Sequence, residues 1–444
     1  MKTIKLITQI PGPKSLEFVA RRNNALPNGS AKATEIVIDS AVGATVKDVD
    51  GNILLDFAGG IGMLNVGHSR KEVVDAVKLQ LEKYIHSCNI VTTIDKYVEL
   101  AELLNKLTPG NFKKKTFVAN SGTEAVEAAI NFAKYFTKRN AIICFEGAYH
   151  GRSTLALSLT SKYALFKKGF GSFVSDIYRL QAPNIYRKPN NFSNDEHIQY
   201  CIDRFDEALI NQVDPSAVAA IIIEPVIGEG GFIQMPKLFL EKIREVCDKH
   251  GIVFIADEIQ CGAGRTGKFL AIEHTGIIPD LVCMAKSIGA GFPISAVTGK
   301  AEIMDAPHPG GIGGTYGGSP IACTAAIEAV KIISSKEFLD RAIAVGNIFK
   351  NRMDEWKNKF NIIGDVRNVG AMCLVEFVKN SETKTPDPDL VLQIIKESVT
   401  NGVILIRAGL YSNCIRFLPP LTITDDELNE GLDVIENAIK KFSV

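Results

Sequence analysis

The pattern of apolar and polar positions changes period near residue 97. Before that point, "GATVKDVDGNILLDF" alternates apolar and polar residues around an Asp-Gly pair, which predicts two antiparallel strands joined by a tight turn. After it, helical stretches such as "KYVELAELLNKL" and "PKLFLEKIREVCDKHG" alternate with short apolar runs, namely "KTFVAN", "AIICFEG", "AVAAIIIEP", "GIVFIADE" and "DLVCMAK". This alternation is typical of an α/β domain with a mainly parallel sheet buried on both faces.

The pattern of apolar and polar positions changes again past Pro320. The helical stretch "IACTAAIEAVKIISS" leads into the apolar runs "AMCLVEFV" and "CIRFLPPL", and the chain closes with the amphipathic stretch "TDDELNEGLDVIENAIKKF". Strands and helices that are not in regular alternation predict a smaller α+β domain. The lone tryptophan, Trp356 in "MDEWKNKF", is expected to be a packing residue.

Composition narrows the classes of partner. The 444 residues carry 50 Lys and Arg against 50 Asp and Glu, so no basic field exists to collect nucleic acid or an anionic membrane surface, and we expect a small-molecule partner. The nine cysteines are scattered without CxxC pairs, which predicts reduced thiols in a cytoplasm. Neither a signal peptide nor an apolar run of about 18 residues is present in the sequence, so secretion and membrane insertion are not expected.

Polar residues stand at the carboxyl end of five apolar runs. In open α/β sheets ligands bind beyond those ends, so the five groups are expected to face one crevice. They are Asn120-Ser121-Gly122-Thr123, Tyr149-His150, Glu224, Asp257 and Lys286. In the first group, the Ser121-x-x-Glu124 spacing predicts a capping box, and the amides of the helix it opens are a site for an anion. Simple helix capping is the alternative reading of that string.

Lys286 and Asp257 suggest the chemistry of the crevice. A lysine held among apolar and glycine residues in "LVCMAKSIGAGFPIS" is less readily charged and becomes a usable nucleophile, although its ammonium could equally reach solvent. Asp257, closing "VFIAD", needs a cationic partner among its apolar neighbours. A structural arginine such as Arg265 is the alternative to a cationic ligand in that role. Pyridoxal phosphate needs a lysine for its aldehyde, a carboxylate for its ring nitrogen and donors for its phosphate, and this set offers all three.

The sequence resembles the class III, fold-type I aminotransferases that depend on pyridoxal phosphate, and among them the bacterial 4-aminobutyrate aminotransferases. The resemblance covers nearly the whole chain and lies in seven blocks, which are "LDFAGGIGMLNVGH", "NSGTEAVEAA", "GAYHGR", "IIEPVIGEGG", "IADEIQCGAGRTG", "AKSIGAGFPISAVTG" and "GGIGGTYGGSP". It implies a large cofactor-binding α/β domain at residues 66–330. It also implies a small domain formed by residues 1–65 together with 331–444.

The resemblance also implies roles for individual residues around the cofactor. Lys286 and Asp257 are the catalytic pair: Lys286 binds the cofactor aldehyde covalently, and Asp257 pairs with the ring nitrogen. The remaining cofactor residues are Gln260 near the phenolic oxygen, Gly122 and Thr123 at the phosphate, Tyr149 stacked on the ring, and Thr315 at the phosphate of the neighbouring subunit's cofactor. Such a shared site implies a homodimer, either alone or paired into a tetramer.

Two arginines match the family's clamps for the carboxylates of the substrate, since the guanidinium fork pairs a carboxylate bidentately. They are Arg152 and Arg416, either of which would otherwise be read as an ordinary ion-pair residue. Glu229 matches a residue that pairs with Arg416 when an ω-amine is bound, and the resemblance adds Ile61 and Glu224 to the substrate site.

Two residues depart from the family pattern. Ile227 replaces the glutamine common in "EPVQGEGG", and Arg407 adds a cation in "ILIRAGLYSN". Both departures leave the choice of substrate open. The implied reaction is ping-pong transfer of the ω-amino group of 4-aminobutyrate, or a close ω-amino acid, to 2-oxoglutarate, giving the semialdehyde and glutamate. An ornithine- or lysine-type ω-aminotransferase and an amino-acid racemase of the same family stay open as alternatives.

The sequence motifs bear on two other kinds of site, one for a dinucleotide and one for a metal ion. "GAGRTG", residues 262–267, satisfies G-x-G-x-x-G and could indicate a nicotinamide dehydrogenase, but a dinucleotide fingerprint should open a helix and precede a strand that ends in an acid. Here Asp280 precedes its strand. The seven histidines show neither HExxH nor paired spacing, so no metal site is expected.

Overall fold

The computed structural model describes residues 2–443. The strands are β1 Ile38–Val42, β2 Thr45–Asp48, β3 Ile53–Asp56, β4 Lys114–Ala119, β5 Ala141–Phe145, β6 Ile177–Leu180, β7 Val218–Ile223, β8 Val226–Ile227, β9 Ile233–Gln234, β10 Val253–Asp257, β11 Leu281–Met284, β12 Ser295–Lys300, β13 Ile363–Val369, β14 Met372–Asn380, β15 Thr385–Pro386, β16 Val403–Ile404, β17 Ile406–Ala408 and β18 Cys414–Phe417.

The helices are α1 Pro13–Ala25, α2 Gly59–Gly62, α3 Lys71–Lys83, α4 Asp95–Leu107, α5 Gly122–Thr137, α6 Thr154–Leu159, α7 Tyr163–Phe166, α8 Asn194–Asn211, α9 Lys237–His250, α10 Ala301–Met304, α11 Pro320–Ile333, α12 Lys336–Lys359, α13 Pro388–Thr400 and α14 Asp425–Phe442. Short 3-10 turns cover Pro215–Ala217, Ala271–His274 and Lys286–Gly289.

The chain divides into two compact units. The first unit contains residues 1–71 and 340–444, and the second contains residues 72–339. The sequence predicts the boundaries at 65 and 330, whereas the contacts divide the chain after Lys71 and after Leu339.

The second unit is built on a seven-stranded sheet with the order β4-β12-β11-β10-β7-β5-β6. β11, β10, β7, β5 and β6 run parallel, while β12 is antiparallel to both of its neighbours. The predicted α/β class with a mainly parallel sheet is therefore confirmed. If the five polar groups are expected to follow five consecutive strands, that detail is wrong, because β12 separates β4 from β11 in the sheet.

This sheet is buried on both faces, as its uninterrupted apolar strands require. Every residue of β5, β7, β10 and β11 is buried. α5 packs across the middle of the sheet through small residues, with Ala125 and Ala129 fully buried in the core cluster. Small side chains let the helix axis approach the strands closely, which carries the start of α5 to the carboxyl ends of the strands.

The first unit contains two smaller sheets, with the orders β1-β2-β3-β16 and β13-β14-β18-β17. The predicted antiparallel pair around the Asp-Gly turn is confirmed, since Thr45 lies opposite Leu55 in β2 and β3. Trp356 is fully buried, and its indole Nε1 donates to Glu436 at 3.0 Å, which confirms a packing role. Among residues 2–443, no helix combines the length and the apolar character needed to cross a bilayer.

Candidate active site

The adjacent strands β10 and β11 bring Asp257 and Lys286 to the same edge of the sheet. The two strands are parallel, and Asp257 ends β10 opposite Cys283 of β11. β11 continues through Met284, after which Ala285 and Lys286 leave the sheet. A buried carboxylate and an amine therefore leave neighbouring strands in the same direction.

Lys286 has an unusual backbone conformation for a lysine. Its φ is 51°, in the left-handed region, and it begins the 3-10 turn Lys286–Gly289. Its side chain is half-buried, whereas Ser287 beside it is buried. Non-glycine residues in this region carry a strain of about 1–3 kcal/mol that persists only where the surroundings fix it, and such residues cluster at functional sites.

The first turn of α5 lies against the ends of the same two strands. A Cβ placed on Gly122 would lie 3.1 Å from Ile259, just past β10, and 3.6 Å from the Cβ of Ala285, just past β11. The lack of a side chain at Gly122 thus permits the close approach of the helix. The first amides of an α-helix have no partner within it, so this helix end offers donors for an anion beside Asp257 and Lys286.

The cap of α5 differs from the predicted box. Ser121 does cap the helix, since its hydroxyl accepts from the amide of Glu124 at 3.4 Å. Glu124, however, accepts from the amide of Asn120 at 2.8 Å and not from that of Ser121. The Glu124 carboxylate thus bonds the amide of the residue before the N-cap. The two reciprocal bonds that define a capping box are replaced by a longer hydrogen-bonded loop.

Asp257 is 2% exposed, and its carboxylate is held in place by two donors. Oδ2 lies 2.7 Å from Nδ1 of His150, and Oδ1 accepts from the amide of Ile259 at 3.1 Å. Arg265, the alternative partner, does not bond Asp257 in the described part of the chain. The Nε2 of His150 is buried without a partner among the described residues.

Glu224 is a second buried carboxyl beside this pair. Its two oxygens accept from the amides of Tyr149 and Gly228, both at 2.8 Å. Burial raises its pKa to about 7, the His150 charge opposes that shift, and the Asp257 charge adds to it. Because both oxygens are taken by main-chain donors, Glu224 ties together the two loops that follow β5 and β7. Its contact with substrate stays a prediction.

Gln260 lies under the turn that follows β8. A Cβ on Gly228 would come within 2.0 Å of Oε1 of Gln260, so a larger residue at this position would displace the end of the Gln260 side chain. Gln260 is nine-tenths buried, and its Oε1 has no partner among residues 2–443. A buried polar atom without a partner is costly, which favours a ligand group at this position.

Arg152 is exposed, and two aromatic rings orient its guanidinium. Its Nε donates to the hydroxyl of Tyr149 at 3.2 Å, and its Cζ lies 4.9 Å from the centre of the Phe166 ring. Tyr149 and Phe166 meet edge to face with their centroids 5.1 Å apart. The cation is therefore held by a hydrogen bond and a cation–π contact.

The structure places the other predicted site residues as follows. Thr315 is exposed, and its carbonyl accepts from Nε2 of His86 at 2.6 Å. Glu229 is half-buried in the turn after β8. Ile61 and Arg416 belong to the first unit: Ile61 is 44% exposed with a φ of 65°, and Arg416 is buried in β18 opposite Leu374.

The two departures from the family pattern differ in environment. Ile227 is fully buried in β8, and its Cγ2 would lie 2.7 Å from a Cβ placed on Gly230 and 3.4 Å from one on Gly147. Its side chain therefore fills the space between two glycine-bearing loops. Arg407 is exposed in β17.

The competing motifs find no support in the geometry. Residues 262–267 form consecutive turns, and no helix begins there, as a dinucleotide fingerprint would require. Within residues 2–443, no group of three or more His, Cys, Asp or Glu side chains is arranged to hold a metal ion.

The residues of this edge fit pyridoxal phosphate. The helix end at Gly122 offers amide donors that would suit its phosphate, Lys286 offers an amine and buried Asp257 a carboxylate, while the Oε1 of Gln260 has no partner among residues 2–443. The role of His150 was not predicted from the sequence. The signal was available, since a carboxylate that closes an apolar strand needs a buried donor and "YHG" follows β5 of the same sheet, with β7 alone between β5 and β10.

Comparison with known proteins agrees with this geometry. Residues 27–439 match the family model described as aminotransferase class-III. The chain is 42% identical to a 4-aminobutyrate aminotransferase of Mycobacterium leprae over 99% of this chain and 98% of the relative. It is 46% identical to the 5-aminovalerate aminotransferase DavT of Pseudomonas aeruginosa over 96% and 98% of the two chains.

Among solved structures, the chain resembles an amine transaminase from an uncultivated Pseudomonas species in its PLP-bound form. The TM-score is 0.86 and the identity 29%, over 94% of this chain and 98% of the other. The chain therefore belongs to the class-III aminotransferases, a family of fold-type I enzymes that depend on pyridoxal phosphate.

Proposed function

We propose that this aminotransferase moves the ω-amino group of 4-aminobutyrate, or of a close ω-amino acid, to 2-oxoglutarate, releasing the semialdehyde and glutamate. The support is the similarity over nearly the whole chain to relatives named for 4-aminobutyrate and 5-aminovalerate. The second of these names makes 5-aminovalerate the strongest competing donor.

One observation carries the proposal. The end of β10, the end of β11 and the start of α5 meet within van der Waals distance at Gly122, Ile259 and Ala285. Asp257 lies two residues before Ile259, and Lys286 directly follows Ala285. An amine, a buried carboxylate and a helix end that binds anions are thereby gathered in one place.

Lys286 and Asp257 have different roles toward the cofactor. When bound, pyridoxal phosphate supplies an aldehyde for the amine and a ring that accepts an electron pair. The Nζ of Lys286 would hold the cofactor and, as a free amine, would move a proton to and from the substrate carbon. The Asp257 carboxylate, oriented by His150, would keep a proton on the ring nitrogen.

The arginines select the substrates. An ω-amino acid carries its carboxylate far from the reacting amine, so we assign Arg152 to that carboxylate. We assign Glu229 to neutralise the charge of Arg416 while an ω-amino acid is bound. Glutamate and 2-oxoglutarate carry a second carboxylate, for which Arg416 becomes the partner. The same site would then serve two substrates in a ping-pong sequence.

A screen of amino donors with 2-oxoglutarate tests the proposal. The donors are 4-aminobutyrate, 5-aminovalerate, ornithine and lysine, with an α-amino acid in the absence of any oxo-acid as a control for racemisation. We expect 4-aminobutyrate or 5-aminovalerate to give the highest kcat/KM. A preference for ornithine or lysine, or racemisation without oxo-acid, would contradict it.

We further propose that the enzyme is a cytoplasmic homodimer with shared active sites, either alone or paired into a tetramer. Thr315, assigned to the neighbouring subunit's cofactor, is exposed, and the loop beside it presents Tyr316, which stacks on His86 while 68% exposed. Val91, which follows His86 closely in the sequence, is 76% exposed.

The support for a cytoplasmic location is that each of the nine cysteines is a free thiol.

A further inference from the structure

Thr123, in the first turn of α5, uses its hydroxyl within the protein. Its Oγ1 lies 2.5 Å from Oγ of Ser153, and the Ser153 hydroxyl lies 2.5 Å from Oε1 of Glu127. Thr123 and Glu127 are four residues apart, so they lie on one face of α5 and both reach Ser153, which stands just before α6. The amide of Ser153 also points to Oγ1 of Thr123 at 3.4 Å.

Counting protons fixes the direction of these bonds. A hydroxyl has a single proton, and a carboxylate accepts only. Ser153 therefore donates to Glu127, and Thr123 must donate to Ser153. The proton of the Thr123 hydroxyl is thus already engaged, so it is not available to a phosphate oxygen unless this chain of bonds breaks.

We propose that Thr123, Ser153 and Glu127 form a strap that positions Arg152, and that Thr123 contributes to phosphate binding through its main-chain amide and not its hydroxyl. The strap acts on the substrate carboxylate through Arg152, so this inference rests on the proposed function. Thr123, Ser153 and Glu127 are positioning residues in this respect, since their side chains do not touch the substrate.

The loop that carries Arg152 passes directly over Thr123. Gly151 has a φ of 132°, and a Cβ added to it would lie 2.4 Å from Oγ1 of Thr123. Ser153 occupies the N-cap of α6, yet its hydroxyl makes no capping bond. That hydroxyl is committed to α5, and the amide of Ala156 in the first turn of α6 donates to Oε1 of Glu127 at 3.5 Å instead, so Glu127 bonds both Ser153 and the start of α6.

Other bonds hold the loop on the side before Arg152. The hydroxyl of Thr160 accepts from the amides of His150 and Gly151 at 3.0 and 3.2 Å, and Glu224 accepts from the amide of Tyr149. The strap is the bond system that follows Arg152. A clamp for a carboxylate must be held to within about 0.5 Å, so loosening either side should weaken recognition of that carboxylate.

The test compares two donors that differ only in the carboxylate. 4-Aminobutyrate and n-butylamine have the same chain length and amine, so the ratio of their rates in the first half-reaction measures the contribution of the Arg152 clamp. In Ser153→Ala that ratio should fall about three- to tenfold while butylamine turnover is retained. Ser153→Thr, which keeps a hydroxyl, should restore most of the ratio.

Thr123→Val extends the test to the other end of the strap. It should also lower the ratio, and the double variant should lose no more than Ser153→Ala alone, because Ser153→Ala already removes the bond between the two hydroxyls as well as the bond to Glu127. The dissociation constant for pyridoxal phosphate, titrated by absorbance on the apoenzyme, should be equal in the two single variants. Weaker cofactor binding in Thr123→Val alone would show that its hydroxyl is a phosphate ligand and overturn the proposal.

The remaining outcomes separate this inference from the proposed function. Wild-type enzyme that uses butylamine as well as 4-aminobutyrate would contradict the proposed function and the clamp with it. Wild-type enzyme that prefers 4-aminobutyrate, together with an unchanged ratio in Ser153→Ala, would contradict only the strap. Equal losses for both donors would also overturn it, since they would indicate general damage to the site.

Discussion

Arg416 is a buried cation in the first unit, 5% exposed in β18. If it serves the second carboxylate of 2-oxoglutarate and glutamate, Arg416→Ala should slow that half-reaction far more than the half-reaction with 4-aminobutyrate. The lost charge-assisted pair is worth about 1.5–3 kcal/mol, or roughly 10- to 150-fold in kcat/KM. Single-turnover measurements of the two half-reactions check this.

Arg407 supplies the matched control for that experiment. It lies on the neighbouring strand β17 and is exposed. Arg407→Ala removes the same type of side chain, and we expect near-normal rates in both halves. Equal damage to both half-reactions in Arg416→Ala would remove its selective role, and a loss in Arg407→Ala would make that residue part of the substrate site.

Glu258 predicts a pH dependence of stability that is separate from catalysis. Burial raises its pKa from 4.5 to about 7, and its oxygens accept from the amides of Ala271 and Ile272. Between pH 4.5 and 7 the folded protein keeps this proton while the unfolded chain has lost it, so the stability associated with protonated Glu258 is lost as pH rises through that window.

Glu258→Gln isolates the effect because glutamine does not titrate. The side-chain amide of glutamine is mismatched with two main-chain donors, which lowers the unfolding free energy of the variant by the same amount at each pH. That loss cancels when the variant is compared at two pH values. From pH 5 to pH 8, the wild type should lose about 2–3 kcal/mol of unfolding free energy relative to the variant. Chemical denaturation at both values measures this, and a difference that does not change with pH would contradict the raised pKa.

At the residue scale, the sequence predicted which side chains stand at the sheet edge but not how they are paired. Lys286 and Asp257 were identifiable because a charge at the end of an apolar strand is unusual. The bond between His150 and Asp257, and the one between Thr123 and Ser153, join residues separated by 107 and 30 positions. Such pairs depend on sheet order and loop paths, which spacing along the chain does not contain.

The turn after β8 is the element whose geometry is most restricted near the site. In Gly228→Ala the new Cβ would collide with the amide of Gln260, 2.0 Å away, and the flexible side chain would have to move. We expect the variant to fold and to bind the cofactor, but with a shifted absorbance maximum, because Gln260 is assigned to the phenolic oxygen. Gly29→Ala is the control, since nothing lies within 4 Å of its Cβ.

An unchanged spectrum in Gly228→Ala would place Gln260 away from the cofactor's ring. A collapse of cofactor affinity would instead show that the turn itself is required for binding. Because glycine and alanine differ by a single methyl group, the comparison with Gly29→Ala removes general effects of that substitution on the unfolded chain.

At the scale of elements, long apolar strands and amphipathic helices were predictable, and irregular pieces were not. β7 and α9 carry strong patterns, because one is buried on both faces and the other on one. β12, "SAVTGK", is reversed against its neighbours, and strand direction leaves no trace in a local apolar pattern. α2 is formed by four consecutive left-handed residues, Gly59 to Gly62, which no helical period predicts.

The whole molecule is expected to work as a dimer, because Thr315 is assigned to the cofactor of the other subunit. Sedimentation of a dilution series should show a dimer or larger assembly at every concentration at which the enzyme is active. Thr315→Ala should weaken cofactor binding without dissociating the dimer. Active monomers on dilution would contradict the shared site.

Lys286 is the residue on which the proposed function depends, and borohydride reduction tests it most directly. Reduction of the purified enzyme with its cofactor should abolish the yellow absorbance and fix the label on one peptide, the one containing Lys286. Lys167 is the internal reference, since it is more deeply buried than Lys286, at 5% exposure, but its Nζ donates to the carbonyls of Ser158 and Thr160. Peptide mapping that finds the label on Lys286 alone is the predicted result, and a label on Lys167 or any other lysine would contradict the assignment of the site.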